Sequence, residues 1–156
     1  MSILRHFKGF WRFHGLIVAS ICASVLTLGC AVKEPAFFEG TWVVTNVYQP
    51  ETIKLNRAEI EGILGSSFVY HNDTAHLNQQ QCVSPRYEKR KMNHAEVAQQ
   101  YNVKANALGF DDRHITQVVL TCGNNIQGLG SVLLFQEHTT AYTVYNGIFY
   151  RIEKTL

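Results

Sequence analysis

No acidic residue occurs before Glu34, and no charge of either sign lies between Gly15 and Val32. The first absence rules out an N-terminal surface helix laced with ion pairs. No G-x-S-x-G, H-E-x-x-H, Walker loop or complete glycine-rich dinucleotide fingerprint occurs, so no short motif nominates a nucleophile, a zinc protease or a phosphate cradle. Gly128-Leu129-Gly130 lacks the third glycine of that fingerprint. No C-x-x-C pair is present, which argues against a zinc knuckle or a dithiol redox site. There are only three prolines, no repeat and no low-complexity tract, so solenoids and long disordered linkers are excluded.

What is present begins with three basic residues, Arg5, Lys8 and Arg12, followed by the uncharged run from Gly15 to Val32 and a small-residue exit. This order is that of a secretory signal peptide. The run is long enough that an uncleaved membrane anchor is the competing reading. The whole chain holds 14 basic and 12 acidic residues, a net charge of +2. Three of those basic residues and no acidic ones lie in the first thirty, so the remainder carries 11 against 12, or −1. No overall bias toward nucleic acid is left, and no nucleic-acid partner is expected.

Thr27-Leu28-Gly29-Cys30 resembles the lipobox of bacterial lipoproteins. Thr27 stands where leucine is usual and Leu28 where a small residue is usual. The resemblance implies that Cys30 carries a diacylglycerol and that cleavage precedes it. Ordinary cleavage after Ala31 and retention as an anchor remain open. All three readings place the domain outside the cytoplasm; with the lipid anchor, the resemblance implies the outer membrane or the periplasmic face if the cell is Gram-negative. The expected division is a signal peptide over 1–30, a tether over 31–38 and one domain over 39–156.

Of four cysteines, Cys22 lies in the apolar run and Cys30 is the candidate for lipid. Cys82 and Cys122 remain, an even number in an oxidising compartment, and a disulfide is expected. It would close a loop of about 40 residues and contribute roughly 3–4 kcal/mol. Two separate buried thiols are the alternative.

Residues 40–48, GTWVVTNVY, read as a strand. Asn56 with Glu59 forms a capping box for a short helix that Gly65 ends. Residues 67–79 read as two strands around Asn72-Asp73. Residues 84–92 read as a strand with a charged, solvated face. Asn93 caps a second helix with Val97 and Tyr101 at helical spacing. Residues 104–114 read as a turn or short helical piece. In ITQVVLTC, Val118, Leu120 and Cys122 share a face, and SVLLFQE (131–137) reads as a further strand. Asn146-Gly147 sits between aromatic strands and suits a type I′ turn, pairing Tyr145 with Ile148, Thr143 with Tyr150 and Ala141 with Ile152. That face has no charge and is expected to be the core side, with Arg151 and Glu153 opposite. The fold class is α+β and β-rich: an antiparallel small barrel or curled sheet of about seven strands with two short helices.

The order GTWVVTNVY, LGSSFVY, CVSPRYE, LGF and YNGIFYRIEK resembles a group of small bacterial secreted proteins and lipoproteins, over residues 40–154. The resemblance implies no activity. Gly40-Thr41-Trp42 also resembles the Gly-x-Trp opening of lipocalins, although a helix between the first two strands departs from an up-and-down barrel.

Five histidines follow the signal segment: His71, His76, His94, His114 and His138. His71 and His76 flank a turn and with Asp73 are the residues that would carry a metal site. Exposed turn histidines are the plainer reading, and no metal or other cofactor is assigned. Asp112 and His114, in DDRH, are the residues that would carry acid–base chemistry. A polar loop before a strand is the plainer reading there too, and no catalytic site is assigned. The expected function is a non-catalytic cell-envelope lipoprotein, attached to the membrane by its N-terminal lipid, that binds a protein or a small apolar ligand. A structural accessory of an envelope assembly and a hydrolase are the alternatives.

Overall fold

The computed structural model describes residues 34–51, 53–123, 128–137 and 140–155. The expected signal peptide, the candidate lipidation residue Cys30 and His138 lie outside the described residues. From Pro35 onward the chain forms one compact unit.

Its elements follow in order. They are β1 (Gly40–Tyr48), α1 (Arg57–Ile63), β2 (Ser67–Tyr70), β3 (Thr74–Leu77), β4 (Gln80–Val83) and β5 (Arg86–Met92). Then come α2 (His94–Tyr101), a 3₁₀ turn (Ala105–Leu108), β6 (Ile115–Thr121), β7 (Val132–Gln136), β8 (Thr140–Tyr145) and β9 (Ile148–Lys154). The fold is β-rich with one curled antiparallel sheet and two helices, as expected, but the sheet has nine strands rather than about seven. The strand that sequence reading missed is β4. Its Gln80-Gln81-Cys82-Val83 has no alternating apolar pattern, and it forms because Asn78, at φ 57°, turns the chain back onto β3.

The sheet order is β4-β3-β2-β1-β9-β8-β7-β6-β5. Every pair of sequence-adjacent strands is hydrogen-bonded except β4 and β5, and β1 pairs with β9. The two-residue link Ser84-Pro85 therefore joins the two edges of the sheet. It is a corner where the chain passes from one arm of the curl to the other. Register shifts between Val44 and Asn46 opposite β9. This bulge lets Trp42 and Val44 face inward and then returns Val47 to the same side.

Long-range contacts hold the two arms together. Cys82 near the end of β4 is bonded to Cys122 just after β6, with Cα atoms 5.7 Å apart, so the expected disulfide is present. The Tyr70 hydroxyl donates to the Gly130 carbonyl at 2.8 Å, and the Tyr87 hydroxyl to the His71 carbonyl at 2.8 Å. Gly130 sits at φ 97°, and a Cβ there would come within 2.8 Å of the Phe68 ring, so only glycine fits where the arms meet.

Two cores result. The inner core, inside the curl, includes Phe38, Trp42, Phe68, Tyr70, Leu77, Leu133, Phe135, Tyr150 and Ile152. Val118, Leu120 and Cys122 lie together in it, as their spacing predicts. The outer core lies between the opposite face of β6–β9 and the α2–3₁₀ segment. It includes Val97, Leu108, Phe110, Ile115, Leu134, Tyr142, Val144 and Phe149.

The final hairpin has the expected turn and register: Asn146 and Gly147 are at φ 50° and 75°, with Thr143 opposite Tyr150 and Tyr145 opposite Ile148. Its charge-free face is inner core at Ala141, Ile148, Tyr150 and Ile152, whereas Tyr145 at the turn, expected on the core side, is exposed. The opposite face is core as well, because Tyr142, Val144 and Phe149 are buried on it beside the charges of Arg151 and Glu153. Both capping boxes form, Asn56 with Glu59 and Asn93 with Glu96. Ala36, Phe37 and Phe38 pack on the inner core, with Phe37 edge-on to Phe135 at 5.2 Å. The packed unit thus begins inside the segment read as tether.

Candidate functional site: an uncharged cleft on the outer face

α2 is only eight residues long and buries one of its own side chains fully, Val97. A helix of that length spans about 12 Å, too little to cover four strands. The part of the outer face it leaves bare is the floor of a cleft of about 600 Å³. Half-buried Val119 of β6 and Val132 of β7, with buried Val144 of β8 where the floor meets the outer core, form that floor. One wall is the C-terminal end of α2, with Gln100, Tyr101 and Asn102. The other is the β8–β9 turn, with Tyr145, Asn146 and Gly147, and the segment after β1, with Pro50 and Ile53.

Local sequence sets each wall. Asn102 adopts the left-handed conformation that ends α2, its backbone N–H donating to the Ala98 carbonyl. Gly147 holds the hairpin turn, and a Cβ there would lie 2.7 Å from Ile53 Cδ1, so the turn and the 50–53 segment close on each other through glycine. The Gln117 amide donates to the Tyr101 hydroxyl and fixes that ring beside the floor. Burial raises the Tyr101 pKa, while the hydrogen bond from Gln117 and the charge of Arg90 act the other way.

Among the described residues the lining contains no aspartate, glutamate, histidine, lysine or arginine. Apart from the disulfide, it offers aliphatic surface, two tyrosines, side-chain amides and hydroxyls. Ser131 is already engaged, its hydroxyl donating to the Gly128 carbonyl at 2.6 Å. Ile53 and Tyr145 are 37% and 41% exposed, two of the four large hydrophobic residues left this open among the described residues, and both line this cleft. A site of this volume, mostly apolar with a few neutral hydrogen-bonding groups, suits a small ligand. It supplies no proton carrier at neutral pH.

The residues singled out from sequence lie elsewhere. Asp112 and His114 are exposed on the loop before β6. Their neighbours form a structural cluster. Arg113 pairs with both Asp111 and Glu137, and Gln136 Nε2 donates to the carbonyls of Asp111 and Arg113 at 2.9 and 3.1 Å. Hydrogen bonds from Arg113 lower the Asp111 pKa. His71 and His76 are both exposed, and His76 stands opposite Val69 in the β2–β3 register. Among the described residues no group of three or more histidine, cysteine or acidic side chains is placed to hold a metal ion.

Sequence reading did not find Val119, Val132 and Val144. The available signal was the unbroken apolar runs around them, Val118–Leu120 and Val132–Phe135, which mark strands buried on both faces. Compared with known proteins, the chain matches no family model, no curated protein and no solved structure.

Proposed function

We propose that this protein is a non-catalytic binding domain of the cell envelope. Its N-terminal segment attaches it to a membrane through lipid on Cys30, and its outer-face cleft holds a small, largely apolar ligand. The observation that carries this reading is the uncharged lining of the 600 Å³ cleft with exposed Ile53 and Tyr145 at its rim. The disulfide between Cys82 and Cys122 supports an oxidising, extracytoplasmic setting. Two acyl chains on Cys30 would anchor the domain stably where one would not.

Two experiments test the two halves. In cells fed an alkyne palmitate the protein should become labelled, and Cys30→Ser should abolish labelling and release it from membranes; continued labelling of Cys30→Ser would refute the anchor. For the cleft, the uncharged dye N-phenyl-1-naphthylamine should bind the wild-type protein saturably. Val119→Trp, which fills the floor, should remove the saturable component. Identical titrations of the two proteins would refute the binding reading.

A further inference from the structure

The cleft does not end at its uncharged floor. A second cavity of about 590 Å³ adjoins it, sharing Gln100, Tyr101, Val119 and Val132, and adds Gln117 of β6 and Glu88, Lys89 and Arg90 of β5. The groove therefore runs from an apolar end beside the β8–β9 turn to a charged end on β5.

At the charged end the two cations are not equivalent. Lys89 Nζ lies 5.5 Å from the centroid of Phe38, an inner-core ring, so its charge is directed to the other side of β5. Arg90 faces the groove. Its Nη2 donates to Gln100 Oε1 at 2.5 Å, and its charge acts on the Tyr101 hydroxyl. Arg57, Arg113 and Arg151 each have a carboxylate within 4 Å, whereas Arg86 and Arg90 have none among the described residues, and of these two Arg90 lines the groove. A guanidinium carries five N–H donors, so most of those on Arg90 remain for a ligand. Glu88 shares this end, and the fork of Arg90 rather than net charge is what selects a planar, two-oxygen acceptor.

We infer that the ligand is a single-chain amphiphile with an anionic head, its chain on Val119, Val132 and Val144 and its head at Arg90. This rests on the reading of the cleft as a ligand site. It adds a direction, apolar tail toward Gly147 and head toward β5, and a chemical class, a carboxylate-headed acyl chain such as a fatty acid.

The test uses the full chain in its own membranes and two photoreactive probes of equal length, a diazirine dodecanoic acid and the matching dodecanol. Cross-linked sites are mapped by digestion and mass spectrometry. The acid should label residues 119–121, 131–132 and 144–147 about tenfold more than the alcohol, the discrimination expected of one charge-assisted fork. Arg90→Gln should remove that preference, and Arg90→Lys should restore part of it. Arg90 is exposed, and an unchanged cooperative unfolding transition by circular dichroism in each variant verifies its folding. Equal labelling of the cleft by acid and alcohol, or a preference untouched by Arg90→Gln, would overturn the head-group assignment while leaving an apolar cleft. Absence of cleft labelling by either probe would overturn the ligand reading itself.

Discussion

The two faces of this sheet are built from the same strands and finished differently. The inner face closes on itself. Aromatic rings from β1, β2, β7 and the 36–38 segment meet inside the curl, and a disulfide joins its arms. The outer face depends on a short helix and a 3₁₀ turn for cover, and they reach only part of it. The covered part is a second core, and the bare part is the cleft. Both faces thus bury core, and the spare apolar surface is confined to the outer one, so substitutions inside the curl and on the cleft floor should separate folding from binding.

The change with the largest effect erases the comparison altogether. β9 pairs with both β1 and β8 and contributes Ile148, Tyr150 and Ile152 to the inner core and Phe149 to the outer. Truncation after Asn146 should leave no cooperative unfolding transition by circular dichroism, while truncation after Lys154 should leave the transition in place. Next, Phe68→Ala inside the curl should cost about 3–5 kcal/mol in urea denaturation, because the ring is fully buried and Gly130 packs against it. Cys82→Ala should cost about 2–4 kcal/mol, and protein isolated from its own cells without reductant should show no free thiol at Cys82 or Cys122 after denaturation.

Tyrosine ionisation sharpens the contrast. Burial raises the Tyr70 pKa well above 10, and raises that of Tyr87 to about 12. A raised value means that the folded state favours the neutral phenol. Its contribution is complete below pH 10 and is lost as pH rises through about 12, since the unfolded chain ionises first. Absorbance at 295 nm should therefore show late tyrosine ionisation coinciding with unfolding between about pH 10 and 12. Early ionisation of every tyrosine in the still-folded protein would contradict the closed inner core. The smallest effect belongs to the bare outer face: Val119→Ser should change stability by less than about 1 kcal/mol, because Val119 is only half-buried, while weakening dye binding.

Local features were legible in the sequence because their causes are local. Asn56 and Asn93 cap helices through residues three positions away, and Asn146-Gly147 sets its own turn and register. Cys82 and Cys122 were paired by counting. What was not legible depends on partners far along the chain. The polar strand β4 exists because β3 offers it an edge. The bulge at Val44–Asn46 and the corner at Ser84-Pro85 decide how the sheet folds over itself, and neither has a distinctive composition. The hairpin's inward face was identifiable from its lack of charge. The burial of Tyr142, Val144 and Phe149 on the other face required knowing where α2 lies. The cleft is what α2 leaves uncovered, so it could not be found before the helix was placed.

The central claim is that the outer face binds while the inner face only holds the fold together. Amide hydrogen exchange with and without N-phenyl-1-naphthylamine tests it most directly. The account predicts added protection at residues 119–121, 131–132 and 144–147, with β2 and β3 unchanged. Protection confined to β2 and β3, with the outer-face amides unaffected, would contradict it.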